Sequence, residues 1–219
     1  MRVPITLATT AVTASAALLL AACGGGDATT SDKTPTSAAV TPSTSASASA
    51  TASPTASATP GRPTITFPSY AKNVFEDQHT GDPTKDSVLA DNEQWVDSMD
   101  DAIFQGSPNT EPLAFYSTGR GMEAALTYVH GYIAKGDKWA GITRFFARKV
   151  TLLGADTASV IYCSDESKSY ITHPKKPTKH TPTSANSYVL YNTHLKKNAQ
   201  GVWQTDSVLS DRGSKQCQP

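Results

Sequence analysis

An excess of either charge is missing from this chain, in which 19 Lys and Arg residues balance 19 Asp and Glu. A protein without net charge has no general attraction for a phosphate backbone, which excludes nucleic acid as a partner. Cysteine is scarce as well: Cys23, Cys163 and Cys217 are the three in 219 residues, and no CxxC pair exists. His79, His130 and His194 are scattered without metal-ligand spacing, so neither a metal nor a cofactor is expected. GxSxG, HExxH, P-loop and GxGxxG motifs are all absent. Large apolar and aromatic side chains are so few in the first third that this part cannot contribute to a core. One folded domain of roughly 150 residues remains, enough to bury a core without a metal.

The first residues read as an export signal, residues 1–22. Met1 and Arg2 form a short positive start, an apolar stretch runs from Val3 through Leu20, and Leu20-Ala21-Ala22-Cys23 follows at once. A membrane-spanning reading is weaker, because the stretch is rich in Ala and Thr and no basic cluster follows it. The quartet resembles the lipobox of bacterial lipoproteins. That resemblance implies cleavage before Cys23 and a diacylglyceryl group, with chains such as palmitate, on its thiol; two acyl chains hold a protein on a membrane where one does not. Residues 23–65 are Gly, then Ser, Thr, Ala and Pro without hydrophobic period, which reads as a disordered tether, bare or glycosylated. The expected location is the outer face of the cell membrane.

The text changes in the domain, residues 66–219. Asp82-Pro83 reads as an N-cap with Pro at the first helical position, and Val88, Leu89, Trp95, Val96, Met99, Ile103 and Phe104 continue at a period near 3.6. This predicts a helix over 83–104 that ends at Gly106-Ser107-Pro108. A short helical piece over 111–116 follows, then a third helix capped by Thr118 and stopped by Gly136. The second half alternates instead, and strands are expected at 139–147, 149–154, 158–164, 187–196 and 202–210. Helices followed by an antiparallel meander make an α+β domain, with the helices on one concave sheet face. Trp95, Trp139 and Trp203 are expected in the core or a pocket wall.

The run Leu113-Ala114-Phe115-Tyr116, then Val150-Thr151-Leu152, Ala158-Ser159-Val160-Ile161-Tyr162-Cys163 and Gly201-Val202-Trp203-Gln204, in that order after a helix, resembles the NTF2-like (cystatin-like) family over about Asp82 to Cys217. More narrowly it resembles secreted lipoproteins of high-GC Gram-positive, actinobacterial-type bacteria that carry this domain. The resemblance implies a cone-shaped half-barrel with a pocket between sheet and helices, but no particular reaction. It places Tyr116, Tyr132, Trp139 and Tyr162 around that pocket. With Cys23 reserved for lipid, an oxidising exterior favours a disulfide between Cys163 and Cys217.

Charge is segregated within the neutral total. Ten acidic residues and one basic residue, Lys85, fall between Glu76 and Glu111, whereas Lys168, Lys175, Lys176, Lys179, His173 and His180 fill a Pro-containing loop. The first reads as a solvated helix face and the second as a polar, mobile loop or a contact for an anionic surface. Acid–base chemistry needs a carboxylate facing a Tyr donor. Since the apolar face of the first helix is expected to turn inward, Asp206 on the last strand is the one carboxylate left as a candidate. The expectation is therefore a non-catalytic binding or interaction domain, whose partners beyond the membrane are a cell-wall polymer or an envelope protein. An isomerase or dehydratase type of enzyme is the alternative.

Overall fold

A computed structural model describes residues 61–178 and 180–219. The signal peptide, Cys23, most of the tether and Lys179 lie outside the described residues. Among those described, no helix is long and apolar enough to cross a membrane.

The first helix, α1 (Pro83–Gln105), forms where its sequence says it should. The Asp82 side chain accepts from the backbone N–H groups of Thr84 and Lys85, and Gly106 ends the helix at φ 69°, a conformation costly for a residue with a Cβ. Helices α2 (Glu111–Tyr116) and α3 (Gly119–Ile133) follow. A mixed five-stranded sheet lies against them, in the order β1 (Ala71–Phe75), β2 (Lys138–Leu152), β3 (Thr157–Thr172), β4 (Tyr188–Lys197) and β5 (Trp203–Arg212). The fold class is α+β, as expected. Gly121 lets α3 lie close on β5, because a Cβ there would come within 2.2 Å of the Thr205 carbonyl oxygen.

The sheet departs from the expected antiparallel meander in three places. Strand β1 was not anticipated and pairs parallel with β2; its polar Lys72 and Asn73 hide the alternation, and the helical crossover between the two strands permits the parallel pairing. The expected break near Arg148 is a bulge within one long β2. Ala147, at φ 52°, shifts the register, so that Trp139, Thr143 and Phe145 face the helices before it and Arg148, Val150 and Leu152 after it. Lys168 lies in β3 opposite Ile142, not in the loop, which shortens the basic loop to residues beyond Thr172. His173 holds its near end, with Nε2 3.0 Å from the Lys135 carbonyl oxygen and Nδ1 accepting from the Lys175 N–H at 3.0 Å.

Packing also begins before the compositional boundary at residue 66. Arg62 forms an ion pair with Asp91, Ile65 lies against the core, and the Thr66 N–H donates to Asp101 Oδ1 at 3.3 Å. Phe67 then meets the rings of Phe104 and Trp139 edge-on, with centroids 5.5 and 6.2 Å apart. Residues 62–67 thus run along α1 as a strap.

Cys163 and Cys217 are joined, with Cα atoms 5.5 Å apart. Cys163 alternates outward on β3, and the bond lays the tail from Ser214 to Cys217 over that outer face, burying both cysteines. All three tryptophans are buried.

Candidate functional site

A cavity of about 280 Å³ opens between α1, α3 and the inner face of the sheet. Seven aromatic rings line it: Tyr128 and Tyr132 from α3, Trp139 and Phe145 from β2, Tyr162 and Tyr170 from β3, and Tyr191 from β4. The alternation of β3 and β4 aims Tyr162 and Tyr191 inward as a cross-strand pair, stacked with centroids 5.1 Å apart. Tyr128 and Tyr132 are one helical turn apart on α3 and meet edge to face at 5.2 Å. Burial raises the pKa of Tyr132, Tyr162 and Tyr191, so these hydroxyls remain protonated donors.

Of the two described carboxyls that line the cavity, Asp100 and Glu166, Asp100 is the buried one. Asp100 lies one turn beyond Val96 on the inward face of α1 and is buried. Its Oδ1 accepts from Trp139 Nε1 at 2.9 Å and its Oδ2 from Asn73 Nδ2 at 2.8 Å. The same Asn73 amide donates to Asp97 Oδ1 at 2.9 Å. Burial pushes the Asp100 carboxyl up to about 7 against the pull of these donors, with the Glu166 charge adding to the rise. Asp97 is pushed well above the usual carboxylate range for the same first reason. Asn73 Oδ1 is buried without a hydrogen-bond partner among the described residues.

At the mouth, Arg212 reaches from β5 to Glu166 on β3 through Nη1 at 2.7 Å and Nη2 at 3.1 Å, and donates to the Asn186 carbonyl oxygen at 2.8 Å. Thr181 and Ser184 from the β3–β4 loop complete the wall. Among the described residues no three His, Cys, Asp or Glu side chains converge as metal ligands.

Of the five residues expected around a pocket, Tyr132, Trp139 and Tyr162 line this cavity. Tyr116 does not. It is fully buried in the core, where its hydroxyl accepts from Arg62 Nη1 at 3.4 Å, because the short α2 turns it toward the strap. Asp206 does not either. A register shift between His194 and Leu195 breaks the alternation at Asp206, and its carboxylate pairs with Lys196 at 3.0 Å and His194 at 3.6 Å beside Gly119. The expectation that α1 turns only apolar residues inward is corrected too: Asp91, Asp100 and Asp101 are all buried. Each has a donor. Asp91 accepts from Arg62 and the Trp203 N–H, and Asp101 from the Thr66 N–H and Gln105.

No protein-family model matches the chain, and no curated protein matches it in sequence. Solved structures do resemble it. A domain of unknown function with a cystatin-like fold from Nostoc punctiforme is 19% identical, covers 61% of this chain and 78% of its own, and superposes with a TM-score of 0.37. A ketosteroid isomerase-like protein from Erwinia carotovora is 12% identical over 58% of this chain and 95% of its own, with a TM-score of 0.39. A hexachlorocyclohexane dehydrochlorinase from Novosphingobium barchaimii is 12% identical over 60% of this chain and 90% of its own, also at 0.39. At such identities none of these transfers a residue role.

Proposed function

We propose that this chain is an envelope lipoprotein held outside the membrane by lipidated Cys23, and that its domain binds a small organic molecule in the aromatic cavity. The observation that carries the binding is the enclosure itself: seven rings and a buried carboxyl converge on a space that no described side chain fills. A binding site of this kind offers apolar area with a few polar groups that fix orientation. By contrast, the exposed apolar residues Ile161 and Leu209 on the outer face flank the polar Asn192, as single surface hydrophobics commonly do. A screen of small organic molecules should yield ligands that shift the Trp139 indole N–H resonance. Ser169→Phe, which places a ring at the cavity wall, should abolish that shift while thermal unfolding stays cooperative. Ligands that leave Trp139 unmoved would refute the site.

The anchor is supported by the Leu20-Ala21-Ala22-Cys23 junction, like the lipobox of bacterial lipoproteins, and by the disulfide, a bond kept in oxidising compartments. Cys23→Ser should release the chain from membranes or leave it as a precursor. Membrane-bound protein with a normally processed N-terminus would exclude lipidation.

Proton transfer is the second reading, favoured by Asp100, whose pKa of about 7 suits exchange of a proton near neutrality beside tyrosine donors. An isomerase or dehydratase activity of this kind would vanish in Asp100→Asn.

A further inference from the structure

We infer that the ligand of this cavity is a small organic ammonium ion, its charge set against Asp100 and Asn73 and its apolar body against the aromatic wall. The inference rests on the cavity being a ligand site and adds the sign of the ligand's charge.

Buried carboxylates are ordinarily neutralised by a cation. Asp91 obeys this through Arg62, and even the partly exposed Glu166 is paired with Arg212. Asp100 and Asp101 do not: their partners are neutral N–H donors, and among the described residues neither forms an ion pair with Lys, Arg or His, but only Asp100 lines the cavity. Among the described residues, the charged ones lining the cavity are Asp100, Glu166 and Arg212, so once Glu166 and Arg212 cancel, one negative charge is left over among them. Asn73 Oδ1, in the same wall, is an acceptor without a donor. The carboxylate asks for a positive charge and the amide oxygen for a donor, and an ammonium group supplies both. Rings such as Trp139 and Tyr132 supply the rest, because the faces of aromatic rings attract cations and exclude anions.

The groups facing Asp100 set how this attraction varies with pH. They are Asp97 on α1 itself, Tyr128 and Tyr132 on α3, Glu166 on β3 and Tyr191 on β4, with Arg212 on β5 behind Glu166. The tyrosines stay neutral and the Glu166–Arg212 pair cancels, so ionisation of Asp100, coupled to that of Asp97, controls the charge a ligand meets.

The test uses the full chain and three probes of nearly one shape: benzylamine, which is cationic, neutral benzyl alcohol, and anionic benzoate. Binding is read from the Trp139 indole N–H. At about pH 8, benzylamine should bind about tenfold tighter than benzyl alcohol, and benzoate more weakly still. That preference should shrink as pH falls below about 7, where Asp100 takes up its proton, and should disappear in Asp100→Asn. Benzyl alcohol or benzoate binding as tightly as benzylamine would overturn the charge assignment and leave the cavity reading standing. If no probe moves Trp139, both fail. The pH series on the unaltered chain decides the matter even if Asp100→Asn does not fold.

Discussion

Arg62→Ala is expected to cost about 3 to 5 kcal/mol of stability, a large share of what a domain this size possesses. Asp91 is the reason. Its side chain is 1% exposed, and the Arg62 guanidinium is its one cationic partner among the described residues. The second carboxylate oxygen accepts from the Trp203 N–H at 2.8 Å, which satisfies a hydrogen bond without supplying a charge. Truncating Arg62 leaves a carboxylate uncompensated between α1 and β5, and also removes a donor to the buried Tyr116 hydroxyl. The 27% exposure of the Arg62 side chain, which admits some water, places the effect toward the lower end. Urea unfolding of chains that begin at residue 61 and at residue 66 should show a difference at least as large as the point substitution, since Ile65 is lost as well. A loss below about 1 kcal/mol, the value of a surface pair, would show that the strap contributes no buried ion pair.

That boundary illustrates what composition can and cannot reveal. Residues 61–65 read as tether because Gly, Arg, Pro and Thr carry no hydrophobic period, yet Arg62 is held by one long-range charge pair that periodicity does not register. The helices were legible because Asp82-Pro83 and Gly106 mark the ends of α1 locally. Strand β1 was not, since Ala71-Lys72-Asn73-Val74-Phe75 has too little alternation and earns its place by pairing with a strand some seventy residues on.

The site was half legible for a related reason. Tyr132, Trp139 and Tyr162 are large rings on elements whose inward face could be read from spacing, whereas Asp206 and Arg148 sit beside bulges that break the count. Asp100 carried a usable signal: it falls four residues after Val96 and three before Ile103, on the face expected to turn inward. That signal is masked, because ten acidic residues against one basic read together as a solvated face. What rescues the buried ones is tertiary. The donors Asn73, Trp139 and Thr66 come from β1, β2 and the strap, and their proximity cannot be inferred before the fold is known.

The stability of the domain is expected to fall with rising pH, and Asp100→Asn to make that fall distinctly shallower. Burial lifts the Asp100 carboxyl from 3.8 to about 7. Between those values the folded protein holds a proton that the unfolded chain has released, so the unfolded state binds fewer protons and stability decreases as pH rises. The contribution is unimpaired below about pH 4 and fully lost above about pH 7, an interval worth about 4 kcal/mol. Asparagine cannot ionise. It will leave one of the Trp139 and Asn73 donors without an acceptor, costing about 1 to 3 kcal/mol, but this offset does not vary with pH. Asp97 titrates in both proteins and feels less repulsion in the variant, which widens the difference without changing its sign. Urea unfolding of the two proteins from about pH 4 to about pH 8 measures the stability difference directly, and its slope rather than its size is diagnostic. A difference that stays level across the range would mean that Asp100 ionises as freely in the fold as in water, and the buried, uncompensated charge on which the ligand assignment depends would not exist.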